Sequence, residues 1–284
     1  MQVLRPITAN DFAALKQIAI ESGHGFTSLP VDDNLLQQKI ERAERSFAKD
    51  INKPQDETYL FVLEDSKTGD VIGTTAIEAA VGMSVPLYHY HLGKTVHHSP
   101  TLNVYNTVDI LSMCNDYTGC SEICTLFLRE QNRKGLTGRF LSRSRFLFMA
   151  QHSERFADTI IAEMRGVSDE DGHSPFWQWL QEHFFSIEFP QADHLVGLGD
   201  KVFISELMPK YPIYANLLSK KAQAVIGQVH EKTKPALKLL EKEGFEHRGY
   251  VDLFDAGPTV EAKLGNIRSC LLYTSDAADD LLCV

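Results

Sequence analysis

The 284-residue chain has little cysteine, no long apolar run and no cluster of Lys or Arg. Each lack excludes something. The five cysteines, Cys114, Cys120, Cys124, Cys270 and Cys283, are odd in number and contain no Cys-x-x-Cys. That argues against a disulfide framework and a structural zinc site, and it fits a reducing compartment, so a cytoplasmic location is expected. No stretch approaches the ~20 apolar residues of a membrane helix. The start, Met1-Gln2-Val3-Leu4-Arg5-Pro6, lacks the apolar core of a secretory signal. A membrane is therefore not an expected partner. With 28 Lys+Arg against 38 Asp+Glu the formal charge is −10, which does not suit a nucleic-acid binder. At 43% hydrophobic and 23% charged residues, the chain is apolar enough to bury a sizeable core.

Strand and helix patterns alternate along the chain. Residues 2–8 form a short apolar stretch. A helix is expected next, with Asn10 as N-cap and Phe12, Leu15, Ile18 and Ala19 as its stripe. Residues 23–30 read as a loop, and Leu36, Ile40, Ala43 and Phe47 mark a helix from about Asp33 to Lys49. Strands are expected at Tyr59–Glu64 and Val71–Ala79, joined by the hairpin-like turn Asp65-Ser66-Lys67-Thr68-Gly69-Asp70. One or two strands are expected within 81–118. Further strands are predicted at Ser121–Leu128, Asp158–Met164, Ala224–Val229 and Glu246–Phe254. Helices are predicted at Gly138–Gln151, at Ser174–Phe185 with a Ser-Pro start, and at Lys234–Glu243 closed by Gly244. The mixture predicts an α/β (α+β) fold with a mixed sheet flanked by helices.

Two places carry chemistry. The loop Arg129–Thr137 joins a strand to a helix, and Gly135, Gly138, Arg133 and Lys134 suit it to a phosphate: backbone N–H groups at a helix start, close approach, and positive charge. A solvated turn ahead of a helix has the same pattern. His230 follows the expected 224–229 strand, where α/β sheets open toward ligands. A lone His there serves equally as a surface or capping residue. Cys124 lies in an apolar run and reads as a small core hydrophobe.

These two features match the GCN5-related N-acetyltransferase-like pattern of strand, phosphate loop and helix, with a last helix ending Leu240-Glu241-Lys242-Glu243-Gly244-Phe245. More closely, the chain resembles the arginine N-succinyltransferases of bacterial succinyl-dependent arginine degradation. The segments that carry the resemblance include Leu102-Asn103-Val104-Tyr105-Asn106, Cys124-Thr125-Leu126-Phe127-Leu128 and Leu141-Ser142-Arg143-Ser144-Arg145-Phe146. Others are Ala162-Glu163-Met164-Arg165-Gly166, Ile226-Gly227-Gln228-Val229-His230 and Phe254-Asp255-Ala256-Gly257-Pro258-Thr259. The likeness runs over residues 1 to about 269. One departure is Leu136, which stands where the family usually has Gly.

The resemblance implies attack of the arginine α-amine on the thioester of succinyl-CoA, with succinyl-CoA as co-substrate and no resident cofactor or metal. It names His230 as proton donor to the leaving thiolate and Leu126 as an acyl-CoA contact. Arg133, Lys134, Gly135, Gly138 and Arg139 are the expected pyrophosphate cradle. The succinyl carboxylate wants a cation, for which Arg165 and Arg145 are candidates. The guanidinium wants a carboxylate, for which Glu163 and Asp116 are candidates, and Ser28 lies on a loop able to close over substrate. The pairs His89-x-His91 and His97-His98 lack a further ligand at metal spacing. Rival expectations are an acetyl-CoA-dependent or ornithine-preferring acyltransferase, and an inactive acyl-CoA binder. Partners are small molecules, with homo- or hetero-oligomeric assembly left open.

The expected acyltransferase domain is 1–269, with insertions around 81–118 and 166–223. Residues 270–284 look like one reading frame of a transposon adapter and are expected to be a non-native tail.

Overall fold

Alternation of apolar and polar residues fixes the two faces of the central sheet. In β2 (Thr58–Asp65), Leu60 and Val62 point to one side and Tyr59 and Phe61 to the other. The first side is covered by α1 (Phe12–Ser22) and α2 (Asp33–Ala48) through Leu15, Ile18, Leu36 and Ile40. The second is covered by α3 (Thr137–Gln151), whose Phe146 and Met149 are fully buried, and by α7 (Lys234–Glu243) through Leu240. The computed structural model describes residues 1–23, 28–170, 172–188, 191–192, 195 and 202–273.

The remaining strands are β1 (Gln2–Pro6), β3 (Asp70–Glu78), β4 (His89–Ser99), β5 (Val104–Cys114), β6 (Ser121–Leu128), β7 (Thr159–Glu163), β8 (Ile213–Tyr214), β9 (Glu246–Val251) and β10 (Pro258–Lys263). They form one ten-stranded sheet in the order β1-β2-β3-β6-β7-β10-β9-β4-β5-β8. Among the described strands only β6 and β7 pair in parallel. The expected hairpin β2–β3 forms, with Gly69 at φ +76° in its turn. Residues 81–118 hold two long strands, β4 and β5, paired over their whole length. A separate core packs beneath them, built on Tyr90, Leu111 and Val251 with Phe176 and Trp177 of α4 (Pro175–His183). Ser174 caps α4 by accepting the Trp177 N–H, as its Ser-Pro start requires. The whole is an α+β arrangement of a mixed sheet flanked by helices.

Three local expectations are corrected. Residues 224–229 do not form a strand. Ser219 caps a helix, α6 (Lys220–Val225), by accepting the Ala222 N–H at 3.2 Å, and Gly227 at φ +69° turns the chain. Four good helix formers after a serine cap outweigh the short apolar run. Asn10 is not a cap: it lies inside a short 3-10 turn, where the Thr8 N–H donates to Asp11 Oδ2 at 2.8 Å. Strand β10 has no counterpart among the sequence-based elements. A short helix, α5 (Val202–Leu207), is also present.

The helical turn at the end of the described chain includes Cys270, which is buried against α3 and donates its thiol to the Phe146 carbonyl. Residues 274–284, most of the expected tail, lie outside the described residues.

Candidate active site

The site begins where β6 and β7 part. Their ladder holds only at Ser121↔Ile160 and Glu122↔Ile161, so beyond Glu122 strand β6 has no strand partner on that side. The divergence has a visible cause. Thr74 pairs with Phe127 and Ala76 with Cys124, which leaves Thr125 and Leu126 sharing the place opposite Thr75. Thr125 adopts φ +55°, a left-handed backbone that is strained for a β-branched residue. A bulge of this kind bends its strand and interrupts the ladder. Leu126, the expected acyl-CoA contact, is therefore half of the bulge. Cys124 precedes it and packs half-buried beside the α1–α2 core; burial pushes its thiol up to about 12, which does not suit a nucleophile.

The loop after β6 leads to an open helix start. Arg133 folds back: its Nε donates to the Leu128 carbonyl at 2.7 Å and its guanidinium lies 5.5 Å from the Phe127 ring. Lys134, Gly135 and Leu136 are exposed, and Gly135 takes φ +58°. No side chain caps α3 and no acid lies in its first turn. Its first backbone bond runs from the Phe140 N–H to the Leu136 carbonyl, 2.9 Å, so the N–H groups of Gly138 and Arg139 precede the ladder. A Cβ on Gly138 would meet nothing within 4 Å. Open space, end-on N–H groups and the positive end of the helix dipole together accept an anion. Leu136, the family departure, is 67% exposed.

The other wall is the end of β7. His230 reaches it through a turn, not a strand end. Val229 makes a single bridge to Gly166, and the His230 N–H donates to the Arg165 carbonyl at 2.9 Å. The junction is tightly locked. The buried Asp255 carboxylate accepts the Gly166 N–H at 2.6 Å and the Gly257 N–H at 2.8 Å. The His230 Nδ1 accepts the Lys232 N–H at 3.1 Å, which places the proton of the neutral ring on Nε2. Burial, then the charges of Arg165 and Lys232, hold its pKa below the ordinary 6.5. Arg165 itself donates to Ser168 Oγ at 3.0 Å.

Glu163, two residues before Arg165, is exposed although it lies in the middle of the sheet, so the face above it is open. Its Oε1 is 2.8 Å from Nε2 of the fully buried His89. Tyr117 sets its ring edge-on to His89 at 5.1 Å and donates its hydroxyl to Glu261. Tyr250 packs on Tyr117 and donates to Asp116 Oδ2 at 2.9 Å. Burial, then the charge of Glu163, push the nearby Asp252 carboxyl up. Asp116 and Glu163, two expected residues, thus share one acidic and aromatic face with residues that sequence reasoning missed: His89, Tyr117, Tyr250 and Glu261. The alternation His89-x-His91 was the available signal, since it places both rings on one face of a strand. Ser28 is half-buried ahead of α2, but Asp32 is the helix cap, accepting the Leu35 N–H. The remainder of the Ser28 loop, His24 to Thr27, lies outside the described residues. Arg129 at the end of β6 lies 3.4 Å from Glu21 of α1, which brings that loop's start to the site. Among the described residues no group of three or more His, Cys, Asp or Glu is arranged to hold a metal ion, and no helix is long and apolar enough to cross a membrane.

The family model described as arginine N-succinyltransferase beta subunit matches residues 2–269. Proteins named arginine N-succinyltransferase from Citrobacter koseri and Salmonella arizonae are each 52% identical over 269 residues, covering 95% of this chain and 78% of the relative. The solved structure titled arginine/ornithine succinyltransferase subunit AI from Pseudomonas aeruginosa superposes with a TM-score of 0.88 at 39% identity. It covers 96% of this chain and 79% of that one.

Proposed function

This chain belongs to the arginine N-succinyltransferase family, and from that premise we infer that it moves the succinyl group of succinyl-CoA to the α-amine of L-arginine. The products are N2-succinylarginine and CoA, the first step of arginine degradation by the succinyl route. The observation that carries the site assignment is the parting of β6 and β7 beside an uncapped helix start.

The N–H groups of Gly138 and Arg139, with Lys134 and Gly135 alongside, receive the CoA pyrophosphate. Arg133, folded onto Leu128, stiffens the loop and adds charge at its edge. The thioester enters the gap between the strands, where the bulge at Leu126 offers backbone N–H to the carbonyl oxygen as it gains charge. The cationic acceptor lies over the face of Glu163 and Asp116, with Ser28 at the rim and Arg165 at the end of β7 beside it. The ammonium loses one proton to solvent before attack. The nitrogen sheds a second in the tetrahedral intermediate, and the neutral His230 ring takes it up. Its low pKa makes the transient imidazolium a stronger acid toward the leaving thiolate. The C–N bond forms, the C–S bond breaks, and no covalent enzyme intermediate is needed. Residues 1–269 act as one acyltransferase domain, and the free thiols of Cys114, Cys120, Cys124 and Cys270 suit a cytoplasmic location.

Release of free CoA, followed with succinyl-CoA or acetyl-CoA and with arginine or ornithine, tests this. The succinyl-CoA and arginine pair is expected to be fastest. Absence of arginine-dependent CoA release, or a preference for acetyl-CoA, would remove the assignment.

A further inference from the structure

Arg145 is a buried guanidinium, 5.7 Å from the centroid of the neighbouring Phe146 ring. It is 2% exposed, in the second half of α3. Its Nε donates to the Ser142 carbonyl and its Nη2 to Ser142 Oγ, each at 3.0 Å, both within its own helix. A guanidinium has five N–H donors, so three remain. Among the described residues no carboxylate lies within ion-pair distance of it, whereas Arg5, Arg42, Arg129, Arg143, Arg155 and Arg248 each have one. Burial without a counter-charge pushes its pKa down to about 10. A buried charge left unpaired is among the costliest features a fold can carry.

Its position suggests what pairs with it. Arg145 lies seven residues after Gly138, two turns along the same helix face and about 10 Å deeper at ~1.5 Å per residue. That face has open space at Gly138. The helix packs over β3 and β6, the two strands that frame the bulge. A molecule held by its phosphates at the helix start and threaded into the gap between β6 and β7 therefore runs beside the helix that carries Arg145. The alternative cation, Arg165, already shares its field with the Asp255 carboxylate and its Nη2 with Ser168.

We propose that Arg145 receives the terminal carboxylate of the donor's acyl chain, making it the residue that selects a dicarboxylic acyl-CoA over acetyl-CoA. This rests on the succinyl-transfer reading above. The carboxylate supplies the missing counter-charge and accepts the donors that Ser142 leaves unused. An acetyl group brings neither, so the guanidinium stays buried and unpaired.

Two experiments test it. In R145M and R145Q, the ratio of kcat/KM for succinyl-CoA to that for acetyl-CoA is expected to fall at least a hundredfold, with R145K recovering part of it. An unchanged ratio, or equal losses for both donors, would overturn the assignment. The second uses the unaltered enzyme with the CoA thioester of succinamic acid, the uncharged isostere of succinyl-CoA. It is expected to be at least a hundredfold poorer a donor, and equal use of the two would again overturn the assignment. Failure of the unaltered enzyme to use succinyl-CoA with arginine would instead remove the functional reading itself, and this inference with it.

Discussion

The backbone N–H of His230 and the carbonyl of Arg165 are 2.9 Å apart, and that bond seats the proposed proton carrier just beyond the end of β7. The ring therefore inherits the position of a central strand although it belongs to a turn. Replacing His230 by Ala removes the side chain and leaves the bond. Turnover is expected to fall by ~10²–10⁴ with CoA affinity unchanged, as read by steady-state kinetics and calorimetric titration. Equal turnover would exclude His230 from proton transfer.

The same ring sets a pH dependence. Burial and the Arg165 and Lys232 charges favour its neutral form, so its folded pKa is lowered and the neutral ring persists to lower pH than free histidine. The acid limb of kcat/KM for the free enzyme is then expected below the ~6.5 of an unperturbed imidazole. It should be missing from the residual activity of the H230A variant. A limb above that value would contradict the neutral resting state.

Gly257 allows the close crossing that holds this junction. A Cβ there would lie 2.1 Å from the Met164 carbonyl oxygen and 2.5 Å from the Gly166 nitrogen. Backbone cannot yield as a flexible side chain does. Gly257→Ala is expected to cost about 3 kcal/mol or more, a Tm loss of roughly 6–12 °C for a chain of this size. Gly135→Ala, which meets no neighbour, is the control for added volume, its cost coming from φ +58° alone.

Gly138 separates folding from binding. Its Cβ position is open and its φ is not left-handed. Gly138→Asp adds an acid to the first turn of α3, which favours the helix by ~0.3–1 kcal/mol. The same charge repels a pyrophosphate. Thermal stability is expected to hold or rise slightly while CoA affinity drops at least tenfold, measured by melting and by titration on the same variant.

Glu243 ties α7 to α3 and to the end of the described chain. Its buried carboxylate accepts from Arg143 Nε at 2.7 Å and from the Ser269 N–H at 2.8 Å. Glu243→Ala leaves a buried N–H without an acceptor and is expected to cost ~1–3 kcal/mol in denaturant unfolding. Glu243→Gln keeps an acceptor for Ser269 and should recover part of the loss.

Much of the frame is written locally. The Ser174-Pro175 start of α4, Gly244 closing α7 at φ +100°, and the Gly69 turn between β2 and β3 are signals a few residues long, and each element forms where they stand. The strand–loop–helix order at residues 121–151 is legible for the same reason. The segment 224–229 was not, because its short apolar run suits a strand or the end of a helix, and only the turn at Gly227 and the single bridge to Gly166 decide between them.

The sequence by itself determined the family and the α+β class, and it singled out Leu126, Gly138 and His230 as the proposed site residues. Tertiary structure alone decided what those residues face. The approach of His89 to Glu163 joins residues 74 positions apart across four neighbouring strands. The bulge at Thr125 exists because β3 holds the ladder on both sides of it. The isolation of Arg145 is a property of everything packed around it. Local propensity acts over a turn of helix or a pair of strand residues, whereas charge burial and strand divergence are set by contacts from the whole chain.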